Sequence, residues 1–303
     1  MNQDWKDAIK HLRLHFSLLL MPVFLFALSQ TSITLYGQTF YPPTLGVLVT
    51  FIILHLLVYP ASNVFNSYYD RDTGSVGGLK NPPPTNVKML WLANMLDAAA
   101  LLVSLSINIP FTFLVLIYIL VSRLYSYRKI RLKQYPLLGF LIIFVFQGAF
   151  TFHLAMNGII TRVSCIGPFP PDLFSHHYIW AKMACSFQIG AIYPLTQIYQ
   201  HKSDLNDGVT TLSYKLGYRG TFIFSGLMFS IATIFYYLHF KDINLNSFYV
   251  LIVAQLPIIL YFVYWANLVW KNNENANYQN TMRMNVIAAT ILNLFFVYLV
   301  ISK

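Results

Sequence analysis

Asn66, Asp70 and Asp72 close a long apolar run in the stretch NSYYDRDTGSVGGLKNPPP (66–84). On a helix, Asn66 and Asp70 fall one turn apart on one face, with Cβ atoms roughly 5–6 Å apart. A carboxylate beside an amide oxygen, at the mouth of a membrane segment, suits a hard cation such as Mg²⁺. A second stretch, QHKSDLNDGVTTLSYKLG (200–217), sets out Gln200, Asp204 and Asp207 in similar fashion. Asn66-x3-Asp70-x3-Gly74 and Gln200-x3-Asp204-x3-Gly208 share one spacing, each after an apolar segment and before a basic residue. One such stretch alone reads equally well as a helix end where Asp caps a turn. Two at matching spacing argue for a paired site.

The chemistry follows from the residue types. Mg²⁺ keeps several waters and takes further ligands from substrate phosphates. Basic residues beside it complete a diphosphate clamp, with Arg as a planar fork and Lys as a point charge. The rest of the chain is apolar, and 17% of it is aromatic. A diphosphate head on a long hydrocarbon tail matches both halves, and prenyl diphosphates are such molecules.

The elements that must position these residues are membrane helices. Apolar residues make up 57% of the chain and charged ones 10%, against about 25% charged in soluble domains. Mean hydropathy is +0.56. The 303 residues suit one helical bundle treated as a single domain. The N-terminal stretch carries Asp4 and Asp7 without a cleavage-site pattern, so no signal peptide is expected. Cys165 and Cys185 show no metal-ligand spacing and no disulfide framework.

Hydropathy marks nine spans, near 15–35, 46–68, 88–107, 110–127, 136–155, 177–199, 219–239, 247–270 and 283–301. Only Asn108, Ile109 and Pro110 separate the third from the fourth. With the N-terminus inside, sixteen of the twenty basic residues fall on one face, which predicts an N-in, C-out bundle. Both acidic stretches and the basic segment RLYSYRKIRLK (123–133) then lie on the cytoplasmic side. The net charge of +10 reflects this topology, so no nucleic-acid partner is expected. Asp97, alone inside the third span, is expected to form an interhelical hydrogen bond. His153, His176 and His177 lack ligand spacing and read as interfacial. Gly74, Gly77 and Gly78 could close backbone over a phosphate or simply give a flexible connection.

These motifs resemble the UbiA family of intramembrane prenyltransferases. Asn66 and Asp70 match the first two positions of the family's Asn-x3-Asp-x3-Asp motif. Asp204, Gly208, Thr211 and Leu212 match its second motif, while Tyr125, Ser126, Arg131, Leu132 and Lys133 match its Tyr-Ser…Arg-Leu-Lys stretch. Arg13 matches an arginine before the first span. Gly74 and Gln200 depart from the pattern at positions where the family carries Asp; Asp72 and Asp207 stand close by.

The resemblance implies an all-α bundle of nine transmembrane helices around a central cavity, and a Mg²⁺-dependent transfer from a polyprenyl diphosphate to a small, aromatic acceptor. Asp70 and Asp204 would be metal ligands supported by Asn66, Asp72, Asp207 and Gln200. Arg13, Lys80, Lys129, Arg131, Lys133 and Lys215 would contact diphosphate, and Tyr125 would face the reacting carbon. Cyclisation of the prenyl chain by a membrane terpene cyclase is the alternative within this chemistry. A transporter or lipid-binding protein is the alternative outside it, and an inactive relative is a third.

Overall fold

The computed structural model describes residues 2–31, 33–35, 38–40, 44–71, 74–160 and 178–302. Among the described residues, seven helical segments are long and apolar enough to cross a membrane: Gln3–Ser29, Thr44–Asp70, Ile109–Ser126, Pro136–Ile160, Leu212–Phe240, Leu245–Lys271 and Tyr278–Ile301. The protein is therefore an integral, multi-pass membrane protein. Every hydropathy window holds a helix. Those in the third and sixth, Lys88–Ser104 and Ile179–Gln197, are 17 and 19 residues long. The latter carries Lys182, Ser186, Gln188, Thr196 and Gln197. The first window is cut short: its helix stops at Ser29, and Ile33–Leu35 pairs antiparallel with Gln38–Phe40, Ile33 opposite Phe40. Among the described residues this hairpin is the only sheet.

Several helices start where Asn or Thr supplies a cap. The side chains of Asn108, Thr211, Asn244 and Asn277 accept from backbone N–H groups at the starts of four helices, satisfying donors with no partner inside the first turn. The weak boundary between the third and fourth windows is therefore a true helix start at Asn108, with Pro110 in the first turn.

The chain forms two compact units, residues 1–131 with 152–173, and residues 132–151 with 174–302. The first contains α1 (Gln3–Lys10), α2 (Ser17–Ser29), α3 (Thr44–Phe51), α4 (Tyr59–Asp70), α5 (Lys88–Ser104), α6 (Ile109–Ser126) and most of α8 (Thr151–Ile160). A π-helical stretch, Ile52–Val58, joins α3 to α4 without a break. Pro60, lacking an N–H, cannot donate to the carbonyl of Leu56. The helix widens just before it, and the Tyr59 N–H reaches back to the carbonyl of Leu54. In this unit Phe26 meets Phe152 edge-on at 5.3 Å, and Gly158 leaves no room for a Cβ beside Thr50 and Phe111.

The second unit contains α7 (Pro136–Ile143), a second π-helical stretch (Phe144–Phe150), α9 (Ile179–Gln197), α10 (His201–Asn206), α11 (Leu212–Phe240), α12 (Leu245–Lys271) and α13 (Tyr278–Ile301). Small residues set its close approaches. Gly148 lies against the backbone of Ser186, whose Oγ accepts from the Ala149 N–H at 2.9 Å. A Cβ at Gly190 would press on the ring of Phe144 at 3.0 Å.

Candidate functional site

The first motif ends α4, as its spacing predicts, and α6 runs alongside as a splint. Ser122 donates to Ser62 Oγ at 2.8 Å, and one turn further Ser126 donates to Asn66 Oδ1 at 2.7 Å. Beyond α6, Arg128 donates to the Tyr69 carbonyl at 2.7 Å, and Arg131 pairs with Asp70 at 3.6 Å. From the Ser62–Ser122 rung to the Asn66–Ser126 rung both partners advance by four residues, so α4 and α6 run parallel. The side chains of Asp70 and Arg131 are 8% and 9% exposed, so this pair is screened little by solvent. Arg131 adopts a left-handed conformation, φ 46°, which turns the chain back towards α4. Arg71, also left-handed at φ 52°, ends α4 immediately after Asp70.

Beneath the motif, Asp97 pairs with Arg123, whose Nε lies 2.9 Å from the carboxylate. Arg123 also donates to the carbonyls of Ala61 and Ala93 and sits 4.0 Å above the Phe65 ring. One guanidinium thus ties α4, α5 and α6 together. The interhelical bond expected of Asp97 is present as a charge pair.

The loop after the first motif is strapped to the N-terminal segment. Arg13 donates to the carbonyls of Gly77 at 3.1 Å and Asn63 at 3.0 Å; His15 bonds the Gly78 carbonyl and His11 that of Pro83. A Cβ on Gly77 would lie 2.9 Å from the Phe16 ring, and Gly78 has φ +85°. These glycines permit a close backbone approach, so the loop is a fitted cover rather than a loose connection.

In the second unit, Gln200 ends a short 3-10 turn, Ile198–Gln200, and Asp204 lies in α10. The two repeats share a spacing but differ in local shape: Asn66 and Asp70 sit on one continuous helix, whereas Gln200 and Asp204 straddle a change of helix type. The Asp204-x3-Gly208 spacing closes α10 with a Schellman turn. The Val209 N–H donates to the Asp204 carbonyl at 2.8 Å and the Gly208 N–H to that of Leu205 at 3.1 Å, with Gly208 at φ +70°. Buried His201 bonds Ser213 Oγ at 2.8 Å, and Ser213 in turn bonds Thr221 Oγ1 at 3.0 Å. Burial lowers the His201 pKa to about 4. This network fixes α10 against the break in α11 at Gly217, φ 67°.

Asn66, Asp70, Gln200, Asp204, Asp207 and Tyr125 are all half-buried, and Arg13 is buried. Lys80, Lys129 and Lys215 are exposed, while Lys133 is half-buried. Asp72, Cys165, His176 and His177 lie outside the described residues. His153 is buried rather than interfacial, its ring accepting from Asn157 Nδ2 at 3.1 Å in one tautomer. Cys185 is buried as a free thiol. Among the described residues no three His, Cys, Asp or Glu side chains cluster as a self-sufficient metal site. The donors at the two motifs are carboxylate and amide oxygens, the set that suits Mg²⁺ completed by water and phosphate.

Fold and motifs define a polytopic helical membrane protein with acid-bearing helix ends beside basic loops. The UbiA prenyltransferase family model matches residues 19–287, and the chain belongs to that family. No curated protein matches it. The fold is that of a UbiA homologue from Archaeoglobus fulgidus, solved with DMAPP and Mg²⁺ (TM-score 0.67, 16% identity, covering 98% of this chain and 100% of that one). The same homologue with GPP and Mg²⁺ gives a TM-score of 0.66 at 16% identity, covering 97% and 99%. A digeranylgeranylglyceryl phosphate synthase structure aligns over 100% of both chains, with a TM-score of 0.61 and 17% identity.

Proposed function

We propose that the whole chain acts as one Mg²⁺-dependent intramembrane prenyltransferase, ionising a polyprenyl diphosphate and transferring the prenyl group to a small aromatic acceptor. The observation that supports this reading best is the bracing of the first motif: Asn66 and Asp70 are held by Ser126 and Arg131 at the end of an apolar helix. Family membership and the ligands of the A. fulgidus homologue support the same reading.

In this proposal nine helices span the bilayer, N-in and C-out, around a central cavity whose site opens to the cytoplasm. Asn66 and Asp70 from one motif, with Asp204 and Gln200 from the other, would hold Mg²⁺, and Asp72 and Asp207 would support them. Bound Mg²⁺ would supply charge neutralisation of the leaving diphosphate. Arg13, Lys80, Lys129, Arg131, Lys133 and Lys215 share that load through charge-assisted hydrogen bonds to phosphate oxygens, which strengthen as the C–O bond breaks. Arg131 can release Asp70 and turn its fork to phosphate. Tyr125 presents its ring to the allylic cation, where aromatic faces stabilise positive charge and apolar walls keep water away. A nucleophilic carbon or oxygen of the acceptor then captures the cation, and the proton it bore passes to the departed diphosphate, so that the prenyl C–O and acceptor C–H or O–H bonds break as one new bond forms.

The test is diphosphate release from farnesyl or geranylgeranyl diphosphate by purified protein with and without Mg²⁺. Asp70→Ala and Asp204→Ala should each abolish it; near-normal turnover in both would overturn the assignment. Cyclic hydrocarbon formed without acceptor would replace the transferase reading by a cyclase.

A further inference from the structure

The second unit contains a cavity of about 510 Å³ enclosed by α9, α11, α12 and α13, within the ~300–1,000 Å³ range of small-molecule sites. One part is deep, at Ile258 and Met284, which are 2% and 5% exposed. Another opens between Ile234 and Val263, which are 57% and 50% exposed on the apolar outer faces of membrane helices. The entrance is thus of lipid-facing character.

Two polar groups interrupt the apolar lining, Gln188 of α9 and Ser225 of α11. Gln188 is 8% exposed and Ser225 1%. Gln188 Oε1 and Ser225 Oγ have no hydrogen-bond partner in the protein. Two other hydroxyls of the lining are satisfied by their own helix: Ser230 donates to the Gly226 carbonyl and Thr233 to that of Phe229. An unpaired polar atom at membrane depth is costly, and these two flank one space. The pair comprises one obligate acceptor and one hydroxyl that can donate or accept. A ligand carbonyl would serve Ser225 alone and leave Gln188 Oε1 bare. A ligand hydroxyl serves both, donating to Gln188 Oε1 and accepting from Ser225.

We propose that this cavity binds an apolar molecule bearing a single hydroxyl, a long-chain or isoprenoid alcohol drawn from the bilayer. The site lies wholly within the second unit and stands whether or not the transferase reading does. A water molecule could also reach the two groups, but it would meet apolar walls elsewhere, whereas an alcohol fills them with its chain.

The experiment uses the full-length protein in phosphatidylcholine nanodiscs and a diazirine-bearing dodecanol, with cross-linked peptides mapped by mass spectrometry. Labelling is expected on the lining segments of α11 and α12, with dodecanol competing about 10-fold better than dodecane, as expected for one well-made buried hydrogen-bonded group. Ser225→Ala and Gln188→Leu should each erase most of that preference, while Ser225→Thr, which keeps the hydroxyl, should retain it. Gly226→Leu, whose Cβ has open contact with Phe262 at 3.7 Å, should fill the space and abolish labelling. Asp70→Ala, in the other unit, should leave labelling unchanged. Equal competition by dodecanol and dodecane, labels confined to other segments, or full labelling of Gly226→Leu would each overturn the proposal.

Discussion

Ser126 and Arg131 reach the first motif from outside it, one donating to the Asn66 amide oxygen and the other closing on the Asp70 carboxylate. Removing the Ser126 hydroxyl takes one hydrogen bond from the Asn66 amide oxygen, about 1 kcal/mol. Ser126→Ala should lower kcat/KM for the prenyl diphosphate about 5-fold and the unfolding temperature by a few degrees at most. Asp97→Ala is a different kind of change, because it removes the carboxylate from Arg123 and leaves the guanidinium to the Ala61 and Ala93 carbonyls and the Phe65 ring. Breaking a fully buried pair costs about 3–5 kcal/mol, and this half-buried one should cost about 2 kcal/mol. Denaturant titration in detergent should show that loss, and Asp97→Leu combined with Arg123→Met should recover much of it. His201 makes the second motif acid-sensitive. Its folded pKa of about 4 lies below the ordinary histidine value of 6.5, so between those values the unfolded chain binds a proton that the folded chain refuses. Stability is full above pH 6.5 and drains as pH falls towards 4. His201→Gln should flatten the fall in unfolding temperature over that window.

At the scale of elements, Gly208 occupies the one left-handed position that ends α10. Gly208→Ala should cost about 1 kcal/mol and Gly208→Asn less, read from unfolding curves of the two variants. The Asp-x3-Gly spacing of the second motif was legible in the sequence, and so was the helix placing Asn66 and Asp70 one turn apart. The splint was not, although its signal is present: Ser62, Asn66 and Asp70 step by four along one apolar segment, and Ser122 and Ser126 step by four along another. A single sequence does not say which polar rows face each other. The pairing of 33–35 with 38–40 was hidden because Ile33 and Leu35 simply extend the apolar run of the first window, and a short apolar run reads alike as strand or helix. The three arginines with left-handed backbone among the described residues, Arg13, Arg71 and Arg131, gave no sign either, since nothing in an arginine announces that geometry. Arg123 read as one more charge of a cytoplasmic loop, and only its burial against Asp97 shows that it is a structural tie.

For the molecule as a whole, charge bias and helix length must agree on topology. The proposed N-in, C-out arrangement predicts opposite labelling of two single-cysteine variants made after replacing Cys165 and Cys185. Lys6→Cys should react with a membrane-impermeant maleimide only in inside-out vesicles, and Lys303→Cys only in right-side-out ones. Labelling of both from one side would imply an even number of crossings and remove one of the two less apolar helices, Lys88–Ser104 or Ile179–Gln197, from the spanning set.

The widened turn at Ile52–Val58 takes up a residue ahead of the acidic pair. A π-turn is one residue more than the α-helix needs, and each α-helical residue turns the axis by about 100°. Excising one residue within the wide turn would therefore let the helix tighten and leave Asn66 and Asp70 facing Ser126 and Arg131, whereas excising one from the α-helical turns just before Asn66 would swing the pair a quarter-turn or more away. The wide turn is thus slack in the thread, able to absorb a length error upstream without spoiling the aim of the acidic pair.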